Sequence, residues 1–438
     1  MTNRILVVGA GAVGGYFGAR LALAGADVTF IARGSRLGAL QEDGIILRNS
    51  ADERRVDRLK VTASEAPDGA YDLIIISVKS MDTEAAALTA AGHLSGGGAV
   101  LSLQNGVENV DIIATHCPKE SVIGGVVRSA LSSKGLNTVS YTHYPTVIIG
   151  AAFEEGKLHE PRLRALFAFA GIEIRIAKDI RVKQWEKLIW NIAFNPLSAL
   201  TFSVCGDMVK SERLSRIMRA VVDEAVKAAA FHGVSLDEGI ADKTLNLDPV
   251  FNDFKTSSLQ DVERNRNPEI DAIMLPVVKL AKEKKISAPF TECIYEILKY
   301  RHERWYHTFP RLAADVLAVN GDKFLLIERR YPPQGWAIPG GMVDYGERAE
   351  AAAVREFFEE TGIKKDEKDL TLLGVYSDPS RDSRAHTVSV IYYTFTSDEP
   401  HAADDAKSAR YFPVDELPDL AFDHKKVIDD YLAKSGKS

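Results

Sequence analysis

Near its start the chain runs Ile5-Leu6-Val7-Val8 straight into Gly9-Ala10-Gly11-Ala12-Val13-Gly14, and a helix-like stretch follows. Few patterns restrict a fold more. A buried strand must turn sharply at Gly9, the backbone at Gly11 must stay open to close approach, and the helix must press against the strand at Gly14. The helix N-terminus then offers unpaired N–H groups to an anion, which suits the pyrophosphate of a dinucleotide. A bare glycine turn with no ligand is the plainer reading, weakened by the strand directly before it.

The rest of the first 178 residues follows from that beginning. "DVTFIAR", "DLIIISVK", "GAVLSLQNG", "SVIGGVV" and "TVIIGAA" are short apolar runs separated by helical patterns. Runs that are apolar throughout fit parallel strands buried on both faces, so an α/β Rossmann domain is expected over residues 1–178. Where the second strand ends, NAD-selective folds place a carboxylate for the ribose 2′-hydroxyl. This chain reads "TFIARGSR" there, with Arg33 and Arg36 and no acid. Arginine suits a 2′-phosphate, so NADP(H) is the expected cofactor; a solvated loop arginine is the alternative.

From Ile180 to Arg304 the strand-like runs disappear and apolar residues recur every three or four positions, which predicts an all-α helical domain over 179–304. Within it Lys187, Asn191 and Asn195 are spaced i, i+4, i+8 on one helix face, among Leu188, Ile189, Trp190, Ile192 and Phe194. Asparagines buried in such surroundings need partners, either neighbouring helices or a ligand.

In this order "GAGAVGGYFGARL", "SVKSMDT", "LQNGVEN", "WEKLIWNIAFNPLSAL" and "SSLQDVERNRNPEID" resemble the ketopantoate reductases (2-dehydropantoate 2-reductases), across roughly residues 3–304. The resemblance implies a Rossmann domain and a helical domain with the active site in the cleft between them. It places Lys187 at the family's catalytic lysine, and Lys79 and Asn105 at positions lining cofactor and substrate. Asn191 and Asn195 fall on substrate-binding asparagines, and Ser257 and Glu269 on the pair that contacts substrate and supports the lysine. The family more often reads Ser-Ser-Met-Leu-Gln-Asp where this chain has Thr256-Ser257-Ser258-Leu259-Gln260-Asp261, so Ser257 and Ser258 both stay open. In the implied reaction a nicotinamide hydride attacks a 2-oxo carbon, while a Lys187 ammonium stabilises the growing oxyanion and delivers a proton.

After Phe309 strands return, with Asn320-Gly321 as a hairpin signal between two of them, and an α+β domain is expected over 305–438. Its stretch "GGMVDYGERAEAAAVREFFEETGI" puts Glu356, Glu359 and Glu360 at i, i+3 and i+4. Carboxylates so placed repel one another unless a hard cation such as Mg²⁺ or Mn²⁺ joins them. Gly341, Glu347, Arg355, Glu356, Glu359, Glu360 and Gly362 together resemble the Nudix box, with Phe357 standing where a branched aliphatic is commoner. The resemblance implies a Nudix hydrolase in which those three glutamates bind the metal, Arg355 orients Glu347, and the metal activates a water. The general base stays open between Glu360 and Glu399. "GVYSDPSRDSRAHTVSV" resembles the loop and strand of ADP-ribose pyrophosphatases in that superfamily, which implies that Arg381, Arg384 and His386 contact a diphosphate or ribose. An ordinary Asp-Pro turn is the alternative.

At 438 residues the chain exceeds one ordinary core. A net charge of −7 argues against a nucleic-acid partner. Cys117, Cys205 and Cys293 are odd in number and far apart, which argues against a disulfide framework or a zinc site. Glycines and Arg20 interrupt any signal-like run, and no later run reaches the roughly 20 apolar residues of a membrane span. The expectation is a cytoplasmic bifunctional enzyme acting on small molecules, away from membranes, with a homodimer left open. Two alternatives remain: a reductase for another 2-oxo acid, and a Nudix fold that senses or hydrolyses another nucleotide.

Overall fold

The computed structural model describes residues 4–436 except 58, 64–66, 130, 143–144, 264–267, 309, 330–332, 345 and 403–405. The chain forms two compact units: the first runs to Val262 and resumes as far as Leu298, and the second takes in Glu263 and the chain from Lys299 onward.

The first unit is built on an eight-stranded sheet. Its strands are β1 (Arg4–Val8), β2 (Asp27–Ile31), β3 (Lys60–Thr62), β4 (Tyr71–Ile76), β5 (Leu94–Ser102), β6 (Val122–Arg128), β7 (Thr146–Ala151) and β8 (Glu173–Ile176). They lie in the order β8-β7-β6-β5-β4-β1-β2-β3. The continuous apolar runs have the expected cause. Ile5 and Val7 pack with Phe17, Phe30 and Leu73 on one face, while Leu6 and Val8 pack with Ile74, Ile76 and Val100 on the other. Two features depart from a purely parallel reading. Strand β7 runs antiparallel to β6, pairing Thr146 with Arg128 and Ala151 with Ile123. A separate four-stranded sheet is formed by Ile45–Arg48, Glu53–Val56, Leu131–Lys134 and Thr138–Tyr141, and its Tyr141 ring meets Tyr16 of helix α1 (Ala12–Leu23).

The helical part is centred on α2 (Ile180–Thr201), which starts where the Asp179 carboxylate accepts the Arg181 N–H at 2.9 Å. Leu188, Ile192 and Phe194 of α2 share a core with Val221 and Ala225 of α3 (Glu212–Phe231). Ile273 and Val277 of α5 (Ile270–Lys284) complete it, and the short α4 (Ser257–Glu263) precedes α5. The two domains expected up to residue 304 thus form one unit. Ile180 packs with Val126, Ile148 and Ala177, and a Cβ at Gly124 or Gly150 would meet its side chain at 3.0 or 3.1 Å. The division between units falls within α6 (Pro289–Thr308), ahead of the expected 304/305 boundary.

The second unit has a seven-stranded mixed sheet. At its centre β9 (Arg311–Asn320) pairs antiparallel with β10 (Lys323–Arg329) through the Asn320-Gly321 turn, where Gly321 takes φ +67°. Strands β11 (Trp336–Ala337) and β12 (Gly340–Met342) lead into helix α7 (Ala349–Thr361), which carries the clustered glutamates. Beyond it come β13 (Thr371–Tyr376), β14 (Thr387–Phe395), β15 (Ala406–Pro413) and α8 (His424–Ser435). Leu317 and Leu326 face α8 on one side, and Val316 and Leu325 face α7 on the other. No described helix in either unit is long and apolar enough to cross a membrane.

Candidate functional site

The glycine turn has the three geometries its spacing requires. Gly9 sits at φ +102°, and a Cβ there would lie 2.8 Å from the Val78 side chain. A Cβ at Gly14 would fall 2.1 Å from the Gly9 carbonyl and 2.2 Å from Ser77 Oγ, so only glycine lets α1 approach the strand. At Gly11 a Cβ would meet nothing within 4 Å. Gly11 caps α1 without any side-chain hydrogen bond, so no capping side chain claims the helix-end N–H groups that can receive a phosphate. Both arginines lie just past β2. Arg33 is exposed, while Arg36 is half-buried beside Gly15 and donates to Ser133 Oγ at 3.4 Å.

The second group of residues gathers around Lys187 on α2. Burial removes its ammonium from water and lowers its pKa to about 8; the Glu269 carboxylate opposes that fall and Arg128 adds to it. The side chain still keeps part of its surface open, so it is surrounded by protein yet reachable. Glu269 stands at the N-terminus of α5. It accepts from Ser80 N at 3.1 Å and from Asn105 Nδ2 at 3.3 Å. The lysine's counter-charge is therefore held by hydrogen bonds from two loops of the Rossmann sheet. Asn191 and Asn195 are both buried on α2. Asn195 donates to Ser257 Oγ at 3.2 Å, while its own Oδ1 finds no partner among the described residues. Of the two serines left open by the sequence, Ser257 is exposed and faces Asn195, whereas Ser258 is buried. Lys79 makes an ion pair with Asp261 of α4 at 3.1 Å.

A supporting network went unrecognised in the sequence. Ser102 donates to Gln104, Gln104 to Thr83, and Thr83 to Asn109, at 3.1, 2.8 and 2.9 Å. Asn109 then donates to the Asn105 carbonyl at 2.6 Å, which also accepts from Ser80 Oγ at 2.9 Å. These buried groups fix the loops that hold Glu269. Their signal was present: Gln104 and Asn109 flank Asn105 within "LQNGVEN".

In the second unit the glutamates lie where α7 faces β12. Arg355 donates to both oxygens of Glu347 at 2.9 Å, to Glu356 at 2.6 Å, and to Glu359 at 3.4 Å. Burial alone would lower the Arg355 pKa, but Glu347 and Glu356 raise it above the ordinary arginine value. Glu360 turns inward and accepts from Gly340 N at 2.8 Å. Its burial, together with Glu356 and Asp315 nearby, drives its pKa well above the carboxylate range. Asp315, also buried and hydrogen-bonded by Ser389, is pushed up to about 7, chiefly by desolvation. A Cβ at Gly341 would strike the Glu356 carboxylate at 2.4 Å, which accounts for the glycine there.

So many partly buried carboxylates around one guanidinium make a donor set suited to a hard cation. Among the described residues, however, no three acidic or histidine side chains form a ready-made cage. Glu356 and Glu359 are drawn to Arg355 and Glu360 to Gly340, so the set expected from the sequence is not preassembled. The downstream arginines also differ from expectation. Arg381 is buried, its guanidinium committed to Asp423 through bonds of 2.8–3.1 Å, and it is not offered to a ligand. Arg384 is partly exposed but paired with Asp382 at 2.8 Å, and His386 contacts the Ser377 carbonyl at 3.2 Å.

Comparison with known proteins accords with these geometries. The family model described as ketopantoate reductase PanE/ApbA matches residues 5–153, and the model of its C-terminal domain matches 179–302. The NUDIX domain model matches 309–431. The chain is 31% identical over 297 residues to the 2-dehydropantoate 2-reductase of Archaeoglobus fulgidus, covering 68% of this chain and 97% of that protein. Its last third is 44% identical over 142 residues to the ADP-ribose pyrophosphatase of Methanocaldococcus jannaschii, covering 31% of this chain and 83% of that protein. The solved structure of a PanE/ApbA family ketopantoate reductase from Ralstonia eutropha superposes with a TM-score of 0.64 at 30% identity, covering 69% of this chain and 99% of that one. A D-mandelate dehydrogenase structure reaches the same TM-score at 22% identity, covering 68% of this chain and 98% of that one, a likeness of fold alone.

Proposed function

Since the chain belongs to the ketopantoate reductase family over its first two-thirds and to the NUDIX family over its last third, we propose that it is an NADPH-dependent 2-dehydropantoate 2-reductase joined to a metal-dependent ADP-ribose hydrolase. The observation that supports the reductase reading is a buried Lys187 with Glu269 as its counter-charge, on the helix face it shares with Asn195, which bonds Ser257. NADPH, when bound, supplies the hydride. Gly9, Gly11 and Gly14 shape its phosphate site, and Arg33 and Arg36 suit its 2′-phosphate. Lys79 and Asn105 line the cofactor and substrate positions.

Lys187 provides the proton. With its pKa lowered to about 8 by burial, its ammonium is a better acid than free lysine and stays largely protonated at neutral pH. The same charge stabilises the oxyanion as it forms on the 2-oxo oxygen. Glu269, held by Ser80 and Asn105, keeps that charge favourable and in place. Asn191, Asn195 and Ser257 supply donors and acceptors to the rest of the substrate, and the unpartnered Asn195 Oδ1 suits a substrate hydroxyl.

In the second unit Mg²⁺ or Mn²⁺ would supply Lewis-acid and water-activating chemistry. Glu356, Glu359 and Glu360 would hold it, Arg355 keeps two of these carboxylates oriented, and the buried Glu360 doubles as a candidate base. Downstream, the partly exposed Arg384 is the arginine that would meet the substrate, while Arg381 fastens its loop to Asp423.

NADPH oxidation on adding ketopantoate, run with the full chain and with Lys187→Ala, tests the first activity. Turnover that the variant abolishes supports it, whereas NADPH binding without turnover would move the assignment to another 2-oxo acid. Release of AMP from ADP-ribose with Mg²⁺, lost in Glu359→Gln, tests the second; tight ADP-ribose binding without hydrolysis would make the domain a sensor.

A further inference from the structure

Lys187, Asn191 and Asn195 do not exhaust the polar stripe of α2. At the helical rotation per residue, Gln184 falls with them inside a sector of about 80°. Its side chain is buried at 6% exposure, and its Oε1 has no hydrogen-bond partner among the described residues. A buried, unmatched amide oxygen is costly unless something brings it a donor.

The surroundings of Gln184 fix its position against the sheet. Its Nε2 lies 3.1 Å from where a Cβ on Gly124 would sit, so the amide packs closely against β6 at that glycine. Gly124 pairs with Ser102, the last residue of β5. Gln184 therefore lies against β6 at the level where the neighbouring β5 ends, and dinucleotides in doubly wound folds bind beyond such strand ends. Along the helix axis Lys187 follows about 4.5 Å further on, while Asn195, the residue paired with Ser257, is about 16 Å away. The stripe thus has an order: an orphaned acceptor at the sheet, then the proton donor, then the substrate-facing asparagines.

We propose that Gln184 is a cofactor-binding residue, its Oε1 accepting a hydrogen bond from the carboxamide N–H of the nicotinamide. This bond would fix which face of the ring is turned toward Lys187 and the 2-oxo carbon. The inference rests on the NADP(H) reading given above and goes further, since it names the ring substituent and the atom that meets it.

The discriminating probe is the reduced 3-acetylpyridine analogue of NADPH, in which a methyl group replaces the carboxamide nitrogen. Equilibrium binding is followed by dinucleotide fluorescence with no 2-oxo acid present. Wild-type protein is expected to bind the analogue on the order of tenfold more weakly than NADPH, the loss of one buried hydrogen bond. Gln184→Met should bind both dinucleotides alike, at the wild-type level for the analogue. Gln184→Glu, which keeps an acceptor, should keep the preference for NADPH. Equal wild-type affinity for the two dinucleotides would overturn the assignment whether or not the variants fold. So would a Gln184→Met protein that still discriminates between them. Failure to bind NADPH at all would remove the NADP(H) reading together with this one, whereas binding without discrimination would remove this one only.

Discussion

A lysine that must give up a proton has to be charged first, and at Lys187 that requirement competes with burial. Desolvation pulls its pKa from 10.5 down to about 8, Glu269 holds it up and Arg128 pulls it further down. Activity that needs the ammonium is therefore present below about pH 8 and lost as pH rises through it. kcat/KM for the 2-oxo acid should show this basic limb, because that parameter reports the free enzyme. Glu269→Gln removes a charge that raises the pKa, so the limb should move to lower pH while NADPH affinity holds. Lys187→Arg, which stays charged, should lose the limb altogether. A limb that stays put in Glu269→Gln would mean that another group titrates there. Much of this site could be read from the sequence because each residue lies inside a recognisable string. The orphan on Asn195 could not, since it depends on how α2 and α4 meet.

At the scale of elements, the strand–turn–helix opening supports a paired prediction. Gly14→Ala forces a Cβ to within 2.1 Å of the Gly9 carbonyl, so α1 must shift and NADPH binding and stability should both fall. Gly11→Ala meets nothing within 4 Å of its own chain, so it should fold normally and lose affinity for the dinucleotide alone. Thermal melts and NADPH titration of the two variants separate these outcomes; equal loss of stability would contradict the steric account. The strands buried on both faces were legible for the same reason, since packing on two sides imposes apolar runs such as Ile5–Val8. The four-stranded sheet was not, because Glu53–Val56 is largely exposed and Leu131–Lys134 only half-buried, and their polar residues carry no such pattern. The β7 reversal escaped too, as strand direction leaves no mark on an apolar run.

Arg381 shows the opposite failure. An arginine in a polar loop read as a ligand contact, yet it fastens that loop to Asp423 at the start of α8. Arg381→Ala would leave Asp423 without its partner in a site with little solvent. It should cost about 3 kcal/mol or more in stability and leave the KM for ADP-ribose near wild type. A large KM effect in a protein of normal stability would restore the ligand reading.

The whole molecule has two compact units with separate cores, so calorimetry should resolve two transitions with different ligand responses. NADPH should raise one, and Mg²⁺ with ADP-ribose the other. Proton linkage adds a sharper test in the second unit. Asp315 has its folded pKa raised from 3.8 to about 7, so the stability it contributes is present at low pH and lost as pH rises through 7. His424 works the other way, its folded pKa lowered by burial from 6.5 to about 3, so its effect appears as pH falls below 6.5. Between pH 6.5 and 8 only the acid's sign remains of these two. Without metal, the second-unit transition should therefore fall by a few degrees over that interval, for a loss of about 1 kcal/mol. Asp315→Asn should reduce the slope, and what remains comes from Glu360, whose pKa is raised as well. Added Mg²⁺ should reduce it as well, because a cation beside Glu356 and Glu360 favours the ionised acid. A second-unit transition that rises with pH across this range in metal-free buffer would show that the buried carboxylates of α7 and β9 are already neutralised by the protein itself, and that no cation is needed to hold them together.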